Sequence, residues 1–133
     1  MERLRPGLSG SAALVVSEEH TAPRIGSGRV HVLATPVMIN LIEAAALAAI
    51  EHLLPAGTQS LGTRLDVRHL AATPVGMRVT AMAEVTAIDG RTVVFKVAAS
   101  DEKEPIGDGT HERVVVNVTK FDERVQRKIR GEK

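Results

Sequence analysis

The stretch from Thr35 to Leu54 is the one segment of this chain long and apolar enough to dictate what must surround it. It opens on Thr35-Pro36, where a threonine oxygen can cap free N–H groups and a proline at the first helical position loses no hydrogen bond. Pro55-Ala56-Gly57 stops it. Asn40, Glu43, Glu51 and His52 are its only strongly polar members after Thr35. The most apolar part, Pro36 to Ile50, is too short and carries Asn40 and Glu43, so it is expected to be a buried helix rather than a membrane span. A helix apolar on nearly every side must be covered on nearly every side.

The cover has to come from strands, because no second long helix is visible. Leu14, Val15 and Val16, after the small residues Ser11 to Ala13, suggest a first strand. A loop with Pro23 and Gly26-Ser27-Gly28 follows, then a short apolar run from Val30 to Ala34. From Leu61 to Leu70 the chain alternates, with Thr63, Leu65, Val67 and His69 on the expected inward face and Arg64, Asp66 and Arg68 on the other. Thr73-Pro74-Val75-Gly76 reads as a turn before a strand from Met77 to Ile88. Asp89-Gly90 joins this strand to Arg91–Ser100 as a hairpin. A loop through Pro105 and Gly107-Asp108-Gly109 leads to a last strand, in which Val114, Val116 and Val118 alternate with Val115, Asn117 and Thr119. The pattern is α+β, with one central helix and a curved antiparallel sheet of about five strands. Such a sheet has edges that need an answer, and a second copy extending it is a common one. The expectation is a homodimer, possibly a tetramer, built from a single domain over residues 1–122 with a basic tail at 123–133 that is frayed or a short amphipathic helix.

Composition removes several functions. Two Phe, with no Tyr and no Trp, leave almost nothing for stacking on bases. The 17 Lys and Arg nearly balance 16 Asp and Glu, and the excess sits in the tail, where Arg124, Arg127, Lys128, Arg130 and Lys133 outnumber Glu123 and Glu132. No nucleic-acid or membrane partner is implied. With no Cys there is no disulfide, thiolate nucleophile or Cys-based metal site, which fits a cytoplasmic location. The first seven residues lack the apolar core of a signal peptide. His20, His31, His52, His69 and His111 form no metal-ligand spacing, and no G-x-S-x-G elbow occurs, so neither a metal nor a serine hydrolase of that type is expected. Asp108, His111, Glu112 and Arg113 read as a solvated strand end.

Polar groups where the pattern wants apolar ones are the informative positions. Glu43 shares a helix face with Ile39, Ala46, Leu47 and Ile50, and a carboxylate buried there costs several kcal/mol unless paired or protonated. His69 continues the inward set of its strand. Each is a partner for the other, or both face a cleft where they serve acid–base work. Thr35 stands at a helix start whose free N–H groups can hold an oxyanion. A regular helix separates Thr35 from Glu43 by a rise of about 12 Å. A shared site therefore needs an irregular helix start, a long substrate or a second subunit.

Three stretches, Ala34-Thr35-Pro36-Val37-Met38-Ile39-Asn40-Leu41-Ile42-Glu43, the run from Gly62 to Met77, and Gly107-Asp108-Gly109-Thr110-His111-Glu112-Arg113, resemble the hot-dog-fold thioesterases related to fluoroacetyl-CoA thioesterase. The resemblance runs from about Ala12 to Phe121. It implies a helix wrapped by an antiparallel sheet and paired into a dimer, hydrolysis of an acyl-CoA at the subunit interface, and no cofactor beyond the CoA of the substrate. It implies a catalytic set at Thr35, Glu43 and His69: Glu43 as nucleophile or as base for water, His69 orienting and protonating, Thr35 hydrogen-bonding the reacting groups. Gly62 matches a glycine close to the acyl group, and Arg113 matches a basic position near the site. The family's fluoroacetyl-specific enzyme uses an aromatic gate before the helix. Gly28-Arg29-Val30-His31 has no aromatic residue, so a short or medium acyl-CoA hydrolase is implied, with an aliphatic acyl pocket from residues such as Leu33, Val37 and Met38. A non-catalytic acyl-CoA or small-ligand binding protein is the alternative on the same scaffold.

Overall fold

The computed structural model describes residues 1–132. Strand β1 (Ser9–Val15) leads through a 3-10 turn and a one-turn helix α1 (Ala22–Ile25) to the long helix α2 (Thr35–Ile50). Strands β2 (Thr58–His69), β3 (Arg78–Asp89), β4 (Thr92–Ser100) and β5 (Pro105–Asn117) follow, and helix α3 (Val118–Ile129) ends the chain. The five strands form one antiparallel sheet in the order β1-β3-β4-β5-β2. Helix α2 lies in its concave face, against β1 and β3 above all.

The core confirms why the sheet curls. With its 3-10 turn, the helical segment Thr35–Leu53 runs 19 residues, long enough to cross a bilayer by length and composition. Met38, Ile42, Ala45, Ala46 and Ile50 are instead all fully buried against the strands. Facing them are Val79, Ala81, Ala83 and Val85 of β3 and Val93, Phe95 and Val97 of β4, alternating inward at period two. Small residues let β1 approach closest: a Cβ on Gly10 would lie 2.4 Å from the Ala45 carbonyl oxygen and 2.4 Å from the Ala49 nitrogen.

The structure departs from the sequence pattern at definite places. The cap of α2 is Ala34 and no side chain caps it, because Thr35 is already the first helical residue. Strand β5 stops at Asn117, two residues before the expected Thr119; the Asn117 side chain accepts from the Lys120 N–H and starts α3 there. On β2 a bulge between Gly62 and Arg64 interrupts the alternation, leaving Thr63 exposed at the irregularity. Leu65 keeps its face, paired with the buried His111 of β5, but is 43% exposed because nothing among the described residues covers it. Asp89–Thr92 closes the expected hairpin, with Gly90 at positive φ.

Gly10→Ala tests the tight seat of the helix. The added methyl meets backbone on two sides rather than a movable side chain, so urea denaturation should show a loss of about 1–3 kcal/mol, the usual cost of overpacking.

Candidate active site

Helix α2 and strand β2 meet along one seam and run in opposite directions, and the site residues fall at two levels of it. At the first, the Thr35 hydroxyl and His69 Nδ1 share a hydrogen bond of 2.7 Å. The hydroxyl expected to cap the helix is aimed at the strand instead. The backbone supplies fewer free donors than the helix start promised, since Pro36 has no N–H and those of Val37 and Met38 bond to the Ala34 carbonyl. His69 Nε2 is enclosed and has no partner among the described residues. Leaving a buried polar atom unpaired costs about 1–3 kcal/mol, and such atoms call for a specific explanation. Burial pushes the His69 pKa below the usual imidazole value, against an opposing backbone contact at Ala71. Thr35 and His69 line a cavity of about 300 Å³ together with Leu33, Ala71 and the loop from Ser27 to Val30. No Phe, Tyr or Trp is in its wall.

The second level is a buried polar network. Glu43, its side chain 34% exposed, receives a bond of 3.2 Å from Arg113 Nη1 through Oε2. The same guanidinium, whose residue is 5% exposed, donates through Nε to the Ser60 hydroxyl at 2.8 Å and through Nη2 to the Ser60 carbonyl at 3.1 Å. Ser60 in turn donates from its hydroxyl to Glu51 Oε2 at 2.7 Å and from its N–H to Glu51 Oε1 at 2.8 Å. Arg113 Nη1 also lies 3.2 Å from His111 Nε2. Gly62 closes the cluster: a Cβ there would come within 2.7 Å of Glu43 Oε2 and 3.2 Å of His111 Cε1.

Glu43 and His69 are thus not each other's partners. Helix α2 is unbroken from Thr35 to Ile50, so Thr35 and Glu43 stand about 12 Å apart along its axis. Leu33 lines the cavity, whereas Met38 is fully buried beside Gly107 and Val37 packs against the core. The expected solvated strand end is overturned at His111 and Arg113, both buried because β5 is interior to the sheet and turns these side chains toward α2. His111, Ser60 and Glu51 escaped the sequence reading. The period-two match of His111 and Arg113 with the buried Val115 was the signal that could have found the first. Among the described residues no group of three or more His, Cys, Asp or Glu is placed to hold a metal.

Residues 16–119 match the family model described as fluoroacetyl-CoA-specific thioesterase. The fluoroacetyl-CoA thioesterase of Streptantibioticus cattleyicolor is 43% identical over 97 residues, 73% of this chain and 70% of that protein. A solved structure of the fluoroacetyl-CoA thioesterase FlK superposes with a TM-score of 0.88 at 36% identity, covering 94% of this chain and 97% of that one. A Thermus thermophilus thioesterase superfamily member gives a TM-score of 0.89 at 30% identity, covering 99% of this chain and 100% of that one.

Two outcomes follow from the geometry alone. Arg113→Met strands the Ser60 carbonyl and the His111 ring, at about 1–3 kcal/mol for each buried group left unpaired, and Arg113→Lys should not rescue it because one ammonium cannot span three partners; urea melts measure both. His69 and His111 are held below the usual value of 6.5, so in mild acid the unfolded chain binds more protons than the folded one. Their contribution to stability is complete above that value and is lost as pH falls below it, and the melting temperature of His69→Gln should fall less between pH 7 and pH 5 than that of the parent.

Proposed function

The chain belongs to the fluoroacetyl-CoA-specific thioesterase family and has its hot-dog fold, and from that membership we propose that it hydrolyses acyl-CoA thioesters to a carboxylic acid and free CoA. The observation that carries the proposal is Glu43. A carboxylate projects from an otherwise apolar helix, with Oε2 tied to Arg113 and Oε1 without a bond among the described residues. That is the arrangement of a group held for use, with one oxygen for anchoring and one for chemistry.

Glu43 Oε1 takes a proton from water as the water oxygen attacks the thioester carbonyl carbon. Alternatively the carboxylate attacks directly, giving an anhydride that water opens. In either route the carbon–sulfur bond breaks and the CoA thiolate leaves; the proton that water gives up, to Glu43 in the first route and on opening of the anhydride in the second, is the one that reaches sulfur, with the Thr35–His69 pair as its relay. Arg113 has its donors committed to Glu43, Ser60 and His111, so its role is to hold Glu43 rather than to reach the acyl group. Gly62 keeps a side chain out of the space between them.

The separation of about 12 Å along one helix argues for a site completed by a second copy, with Glu43 of one chain facing the Thr35–His69 pair of its partner. The surfaces for such a pairing are exposed. Strand β2 is a sheet edge with Leu61 and Leu65 uncovered, and α2 leaves Leu47 37% exposed beside Ala44 and Ala48. The aliphatic wall around Leu33 and Val30 suits a short or medium acyl chain, in contrast to the fluoroacetyl group in the name of the relative. CoA thioesters are held inside cells, which makes the cytoplasm the location that goes with this substrate.

Purified protein should release free thiol from a short acyl-CoA, and Glu43→Gln should lower kcat about 10²–10⁴-fold with the melting temperature preserved; no release across a panel of acyl chain lengths would sink the proposal. Gly62→Ala should fold normally, because the obstructed atom is the end of a flexible side chain, yet lose up to about 10²-fold in kcat through the displaced carboxylate. Co-expressed Glu43→Gln and His69→Ala chains distinguish the two site architectures. A site shared between chains regains one intact centre in the mixed dimer, and a site within one chain regains none.

A further inference from the structure

His111 is fully buried on β5, in contact with the machinery but outside the expected catalytic set. Its Nδ1 lies 2.8 Å from the Arg64 carbonyl oxygen, which can only accept, so Nδ1 carries the proton. Its Nε2 lies 3.2 Å from Arg113 Nη1, which can only donate, so Nε2 must present a lone pair. Both constraints agree on one neutral tautomer. The ring is further fixed by stacking on Phe95, with centroids 5.8 Å apart.

We propose that His111 is a positioning residue that must be neutral: its Nε2 lone pair orients the Arg113 guanidinium, which in turn orients Glu43, so that protonating His111 switches the site off. The inference rests on the thioesterase reading for what Glu43 does, and on the geometry alone for the coupling. A proton on Nε2 would face the Nη1 proton across 3.2 Å. Nη1 would have to turn away, and the Glu43 oxygen bonded to the same nitrogen would lose its anchor. The charged groups around the ring are few. Burial, joined by Arg113, holds the pKa below the usual imidazole value, against the Arg64 carbonyl, Glu43 and Glu112, which favour the proton. The Arg64 side chain is turned to Glu112 at the surface, and only its carbonyl reaches the ring.

The sign is therefore fixed. Activity is complete while His111 is neutral and falls in mild acid as it takes up a proton. His111→Gln separates this from the titration of His69, since an amide oxygen can accept from Arg113 and cannot be protonated. The expected result is a several-fold lower kcat, with KM for a short acyl-CoA little changed and the acid limb of the kcat profile moved to lower pH by half a unit or more. His111→Leu should lower kcat at least tenfold at every pH; if it does not fold, the glutamine variant decides alone. An acid limb that stays in place in His111→Gln overturns the proposal. A second readout needs no turnover. In ¹⁵N spectra His111 should show a protonated Nδ1 and a bare Nε2, and the ¹³C signal of the Glu43 carboxyl should step at the His111 midpoint in the parent but not in His111→Gln. If the protein hydrolyses no acyl-CoA, the thioesterase reading falls while these spectra still judge the coupling. A Glu43 signal indifferent to His111, or a proton on Nε2 at neutral pH, overturns it.

Discussion

A helix that is apolar almost all the way round has to be covered almost all the way round, and the rest of this structure is the consequence. Helix α2 has no partner helix among the described residues, so a five-stranded sheet curls about it. The curl is possible because the contacts are small: Gly10 on β1, Ala81 and Ala83 on β3, and Ala45, Ala46 and Ala49 on the helix allow backbones to approach where larger side chains would hold them apart. One stripe is left over, along Ala44, Leu47 and Ala48, the last two exposed. The same constraint that builds the core thus leaves part of the helix uncovered among the described residues.

Against that apolar background, each polar group in the seam must find a partner or stay unpaired at a cost. Arg113 is tolerated in the interior because its donors are met by Ser60, Glu43 and His111. Glu43 is tolerated on the helix because Arg113 meets it. Every member of the network depends on the next, and a side chain at Gly62 would displace the Glu43 carboxylate from it. His69 differs: one ring nitrogen is satisfied by Thr35 and the other is left open beside the cavity. One end of the seam is a closed network and the other keeps a ring nitrogen without a partner among the described residues.

Much of this was legible in the primary structure. Thr35, Glu43 and His69 stand out as polar groups in apolar settings, and the helix, the Asp89-Gly90 hairpin and the alternating strands follow from periodicity and turn chemistry. The pairing among those residues was not legible. Thr35 carries the local signal of a helix cap, yet Ala34 fills that place and the hydroxyl serves His69. His111 and Arg113 carry the local signal of a solvated strand end, because a charged cluster is usually outside and the strand period is weak evidence against it. Asn117 ended a strand that the valine alternation carried onward.

The sequence by itself determined the class of fold, since one apolar helix and a run of alternating strands leave few ways to bury what must be buried. It also determined which residue types stand out of place, and three of its stretches carry the resemblance to the family. The tertiary structure alone decided who touches whom. Register across β2 and β5, and the bulge at Gly62/Arg64, put Arg113 rather than His69 beside Glu43. Hydrogen bonds depend on distances of a few tenths of an ångström between segments up to 70 residues apart in the chain. Local pattern records which way a side chain faces along its own element, and only the packing of several elements together settles what it meets there.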